Sequence, residues 1–166
     1  ILPGSFLPSV ERYDQMLTID RWVVERSLEL LEARFYNQSK NIYAINLSGY
    51  ALSDENFLNF VVDKLKTYKR NPSNICFEIS ENVALTDLKH VIKFISTLKE
   101  LGCRFSIDDF GSNLSSFSYL KDIPLDYLKI DGRLVKGILT DTVDCAIIES
   151  INRIGHIMGL KTIAAW

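Results

Sequence analysis

The chain has 166 residues, 19 Lys+Arg against 21 Asp+Glu for a formal net charge of −2, and 47% hydrophobic residues. These are the proportions of one soluble globular domain, and a mildly acidic chain without a Lys/Arg run is not built to grip duplex nucleic acid through its phosphates. No apolar stretch reaches the about 18–20 residues needed to span a bilayer, and Ile1-Leu2-Pro3-Gly4 lacks the basic flank of a signal peptide.

In chain order, Asp20 caps a helix whose apolar face is Trp22, Val23, Leu28, Leu31 and Phe35. Residues 42–47 form the first predicted strand. Ser53 caps the next helix, which buries Phe57, Phe60, Val61 and Leu65, and residues 75–79 give the second strand. Thr86 opens a helix with Leu88, Val91, Ile92, Ile95 and Leu98 at helical spacing, closed by Gly102 as a left-handed cap. Residues 104–107 and 127–130 are the third and fourth strands. Asp141 or Thr140 starts a helix with Val143, Ile147, Ile151, Ile154 and Met158 on one stripe and Gly159 beyond its end, and residues 161–165 form a fifth strand. Cys76, Cys103 and Cys145 are far apart within apolar segments, which suits buried thiols in a reducing, cytoplasmic compartment. The chain begins without Met and stops inside an apolar run at Trp166, as a fragment would.

Short strands, mostly apolar on both faces and alternating with helices, predict a parallel α/β sheet. An open doubly wound sheet and most of a (β/α)₈ barrel both fit this pattern. The polar residues favour the barrel, because Asn46, Glu78, Asp108, Asp109 and Lys129 all stand at strand ends, which converge at a barrel mouth. Asn, Glu and two adjacent Asp supply hard oxygen ligands for Mg²⁺ or Mn²⁺, and Lys129 adds positive charge where phosphoryl chemistry develops negative charge. Two-metal phosphodiester hydrolysis is the natural inference. Taken singly, Asn46 reads as a turn residue, Glu78 and Lys129 as a structural ion pair, and Asp109 as a helix cap.

After the third strand, Asp108-Asp109-Phe110-Gly111-Ser112-Asn113-Leu114-Ser115-Ser116 leads into a short helix with Phe117, Tyr119 and Leu120. Gly111 and Asn113 tolerate positive φ, while Ser112, Ser115 and Ser116 either bind a phosphate or cap that helix. His90 and His156 read as surface residues, and Trp22 as core. A phosphorylation-receiver domain also uses paired Asp and a Lys, but its pair follows the first strand rather than the third.

The stretches Ile19-Asp20-Arg21-Trp22-Val23, Ile45-Asn46-Leu47-Ser48, Phe77-Glu78-Ile79-Ser80-Glu81, Asp108-Asp109-Phe110-Gly111, Ser115-Ser116-Phe117-Ser118-Tyr119-Leu120 and Pro124-Leu125-Asp126-Tyr127-Leu128-Lys129-Ile130-Asp131 occur in that order over practically the whole chain. In them the sequence resembles the EAL-domain phosphodiesterases that hydrolyse cyclic di-GMP. The resemblance implies a modified TIM (β/α)₈ barrel, present over residues 1–166 as a partial EAL domain with about five strands and incomplete at both ends. It implies opening of cyclic di-GMP to linear pGpG with two Mg²⁺ or Mn²⁺ ions. Asn46, Glu78 and Asp108 would hold one ion, Asp108 and Asp109 the second, and Lys129 would orient or activate the water. Ser112 and Ser115 are the candidate substrate contacts. Glu81 would steady the loop after Asp109, which in the family also serves dimerisation and control. The same likeness implies a homodimer, and a parent protein with fused sensory or GGDEF-type domains.

The departures bear on activity. The glutamate of the motif that names the family belongs to a strand upstream of Ile1. Ala165 stands where a second-metal carboxylate is expected, and Asn113 replaces a usual Gly. The competing reading is a degenerate EAL domain that binds cyclic di-GMP or partner proteins without hydrolysis.

Overall fold

Alternation of apolar runs with capped amphipathic helices produces the chain order α1 (Pro3–Arg12), α2 (Met16–Arg34), β1 (Tyr43–Asn46), α3 (Gly49–Ser53), α4 (Glu55–Thr67), β2 (Ile75–Ser80), α5 (Glu81–Thr86), α6 (Leu88–Glu100), β3 (Arg104–Phe110), β4 (Tyr127–Ile130), α7 (Gly132–Gly137), α8 (Thr142–Ile157) and β5 (Lys161–Ala164). This computed structural model describes residues 2–34, 41–112 and 117–165. Among them, no helix is long and apolar enough to cross a membrane.

The five strands are all parallel and lie in the order β1-β2-β3-β4-β5. A doubly wound sheet reverses its strand order at a switch point; this one never does. Right-handed connections between successive neighbours therefore put the connecting helices on one face, the winding of a TIM barrel. Among the described residues no pairing joins β1 to β5, so the barrel is not closed.

The helix-covered face carries the core. Phe77 and Phe105 meet across β2 and β3 at 5.6 Å, Phe94 of α6 stands edge-on to Phe105 at 6.4 Å, and Phe57 of α4 stacks on Phe94 at 6.2 Å. All four rings are fully buried, each contributing about 1.5–3 kcal/mol of transfer free energy. The opposite face is more polar and partly open: Asn46, Lys161 and Ile163 are exposed. Of the strands expected to be covered on both faces, β2 is, although its second face carries Cys76, Glu78 and Ser80, whereas β1 and β5 are not.

Helix starts shift by a residue or more from the sequence reading. Asp54, not Ser53, caps α4 by accepting from Phe57 N–H, and Asp87, not Thr86, caps α6 by accepting from His90 N–H. Asp141 caps α8 as expected, and Gly102 takes φ +97° past α6. Asp20 lies inside α2 rather than at its start. Trp22 is 63% exposed and Val143 also faces solvent, because each sits off the side of its helix that meets the sheet. Phe35 lies outside the described residues. Cys76 and Cys103 are buried, and burial pushes both thiols up to about 12; Cys145 is only half-buried. His90 and His156 are exposed, His90 pairing with Asp87 at 2.6 Å. The short helices α1, α5 and α7 carry too few turns to announce themselves by periodicity.

Candidate functional site

Paired residues of parallel neighbours share a face, and the register sets Asn46 beside Glu78, Glu78 beside Ser106, and Ser80 beside Asp108. Lys129 on β4 completes the cluster. Its Nζ donates to Glu78 Oε2 and to Asp108 Oδ2, each at 2.9 Å. All three side chains are shielded, with 21%, 9% and 23% exposure for Lys129, Glu78 and Asp108. Burial works against the charge on Lys129, but its hydrogen bonds to the Asp108 and Glu78 carboxylates, with their negative charge, outweigh it and raise the ammonium above its ordinary range. Lys129 is therefore a fixed cation at neutral pH.

Adjacent residues of a regular strand point to opposite faces, so Asp108 and Asp109 could not both serve one site. The register resolves this. Ile107 pairs with Leu128 and Phe110 with Ile130, so Asp108 and Asp109 together stand opposite Lys129 alone. This bulge carries Asp109 in the left-handed region at φ +54°, and its N–H donates to Asp108 Oδ1 at 3.0 Å. Bulges of this kind re-aim side chains beside active sites, and a non-glycine residue held left-handed stores local strain there. The Asp109 carboxyl is pushed above its usual range by partial burial and then by the charges of Asp108 and Asp131, with Lys129 and Arg133 pulling the other way.

Glu81, 1% exposed, locks the segment after the bulge. Its Oε2 accepts from Gly111 N–H and its Oε1 from the Tyr119 hydroxyl, both at 3.0 Å. Gly111 takes φ +87°, as its freedom from a Cβ permits. Ser112 is half-buried and its N–H donates to the Asp109 carbonyl at 3.3 Å. Asn113, Ser115 and Ser116 lie outside the described residues. Glu81→Ala removes the acceptor of both bonds; urea unfolding is expected to show a loss of about 1–3 kcal/mol, and an unchanged midpoint would contradict this anchoring.

The cluster therefore gathers Glu78, Asp108, Asp109 and Lys129, with Asn46 one strand away and Glu81 behind the loop. Two further acids take buried positions that the sequence does not assign them, Asp20 having been expected as a helix cap. Asp131 is buried beside β3, its N–H on the Phe110 carbonyl, and its carboxylate holds the exposed Arg133 guanidinium at 2.6 Å. Asp20 is buried under Ser48. Its spacing carried a signal, since Asp20 stands four residues before Val24 on the stripe of Val24, Leu28 and Leu31.

As the side chains stand, no three His, Cys, Asp or Glu among the described residues are grouped to hold a metal ion. The donor chemistry nevertheless fits a divalent cation. Glu78 and Asp108 already share one positive group, the Lys129 ammonium, and the remaining donors, the Asp109 carboxylate and Asn46 amide, are hard oxygens of the type Mg²⁺ and Mn²⁺ take. Ala165 follows β5 with its N–H on the Ile130 carbonyl at 3.1 Å, so it brings a methyl group to this end of the sheet.

A model of the EAL domain family matches residues 1–166. Cyclic di-GMP phosphodiesterase PdeB of Shewanella oneidensis is 32% identical over 164 residues, 99% of this chain and 19% of that protein. Among solved structures, the PaMucR phosphodiesterase in complex with c-di-GMP gives a TM-score of 0.88 at 32% identity, over 99% of this chain and 72% of that one. The S helix-GGDEF-EAL structure of Vibrio cholerae LapD gives 0.87 at 25% identity, over 98% of this chain and 39% of that one. The chain spans about a fifth of the length of the curated full-length relatives it matches, PdeB among them.

Proposed function

Because the chain belongs to the EAL domain family, we propose that it carries the metal-binding face of a phosphodiesterase that opens cyclic di-GMP to the linear dinucleotide pGpG. The observation that carries this reading is the bulge that sets Asp108 and Asp109 together opposite Lys129 at the carboxyl ends of adjacent parallel strands, with Lys129 Nζ on Asp108 Oδ2. Barrel enzymes place their chemistry at those ends.

Asn46, Glu78 and Asp108 would hold one Mg²⁺ or Mn²⁺, and Asp108 with Asp109 a second. When bound, such ions polarise the phosphodiester and make water a better nucleophile at neutral pH. Lys129, hydrogen-bonded to Glu78 and Asp108, would orient or activate the attacking water and offset charge on the phosphoryl oxygens. Hydrolysis adds water across one phosphodiester bond, leaving a 5′-phosphate on one side and a free hydroxyl on the other. Glu81 holds the loop that carries Asp109 and Ser112, and Ser112 and Ser115 are the proposed phosphate contacts. A cytoplasmic setting, a homodimer and fused GGDEF-type or sensory domains complete the reading.

Metal removal tests it. Chelation of divalent ions is expected to stop turnover of cyclic di-GMP by the full chain, and Mn²⁺ to restore it; turnover that persists in chelator would refute the metal-dependent reading.

A further inference from the structure

Asp20 is 5% exposed in α2, and both its carboxylate oxygens are engaged by one residue. Oδ1 accepts from the Ser48 backbone N–H at 3.2 Å and Oδ2 from the Ser48 hydroxyl at 2.5 Å. That hydroxyl oxygen in turn accepts from Ala51 N–H at 3.4 Å and so caps α3. Asn46 ends β1 two residues earlier. Between them, the Leu47 N–H donates to the main-chain carbonyl of Glu78 at 2.9 Å.

The turn that carries Asn46 is thus pinned at two points, to the backbone of Glu78 and to the carboxylate of Asp20. A purely structural account fits poorly. Ser48 alone suffices to cap α3, and a buried carboxylate that enters none of the ion pairs among the described residues costs more than a cap returns. A buried anion one residue behind a cation site repays that cost when the cation is present, and groups that orient ligands from behind are worth 10–100-fold in metal affinity.

We propose that Asp20 is a positioning residue for the divalent-ion site: it acts through Ser48 to hold the Asn46 amide against Glu78. The inference rests on the reading of the strand-end acids as a metal site. Its first test is therefore metal binding itself, followed by the resonance of free Mn²⁺ in titrations of the full chain, with Asp63→Asn on the exposed face of α4 as control. Asp20→Asn is expected to weaken Mn²⁺ binding by about 10–100-fold, and to raise the Mn²⁺ concentration for half-maximal hydrolysis by the same factor while kcat at saturating Mn²⁺ changes by less than about twofold. Ser48→Ala keeps the backbone bond to Asp20 and loses the hydroxyl; it is expected to shift both midpoints in the same direction by less, and it decides the matter if Asp20→Asn does not fold. Unchanged Mn²⁺ affinity in the folded variant, or a fall in kcat with an unmoved metal midpoint, overturns the proposal. If the wild-type chain binds Mn²⁺ without hydrolysing cyclic di-GMP, the catalytic reading fails and the titration still judges Asp20. If it binds no Mn²⁺, both fall.

Discussion

Asp108→Asn is expected to lower the rate of cyclic di-GMP opening by about 10³-fold or more, the equivalent of several kcal/mol of transition-state stabilisation. No other residue of the cluster has as many tasks. Its Oδ2 holds Lys129 Nζ at 2.9 Å, its Oδ1 takes the Asp109 N–H that fixes the bulge, and it is the carboxylate proposed to serve both ions. Asparagine preserves volume and can still accept from Asp109, so the fold survives while the charge is lost. The fall should appear in kcat/KM measured by product formation, with the melting temperature of the variant close to that of the wild type. A rate within tenfold of wild type would mean that Asp108 is only the structural partner of Lys129.

The second large effect runs the other way. Ala165→Glu is expected to raise activity at fixed, subsaturating Mn²⁺ by about tenfold or more, about 1.4 kcal/mol. Lys129 pairs with Ile163 across β4 and β5, so the two share a face; residue 165, two positions on, returns to that face. Its backbone is already tied to Ile130, beside Lys129. A carboxylate there would join the acids that the resemblance assigns to the second ion, where the present methyl group offers no donor. Activity against Mn²⁺ concentration reads the effect directly. Unchanged or reduced activity would show that this position does not govern the second ion.

Much of this site was legible in the sequence because strands are short and their exits abrupt. Asn46, Glu78, Asp108 and Lys129 each break an apolar run, and the structure sets them on neighbouring strands. What the sequence could not supply depends on register. The bulge at Asp108 and Asp109 exists only relative to β4, and without it adjacent aspartates would be read as pointing apart. Asp20 misled for a related reason: an acid near a helix start resembles a cap, and only its burial beneath Ser48 reveals a tertiary role. Trp22 misled because an aromatic ring beside an apolar stripe was counted with it, although it lies off the packed side. The Glu81 anchor joins α5 to a loop thirty positions on, and its meaning lies in contacts that periodicity does not encode.

The most direct measurement is a chromatographic time course of cyclic di-GMP incubated with the full chain and saturating Mn²⁺. Conversion of the cyclic nucleotide, molecule for molecule, into the linear dinucleotide pGpG is the expected result. Tight binding of a nucleotide that stays intact would contradict it and leave the strand-end acids as a recognition site without hydrolysis.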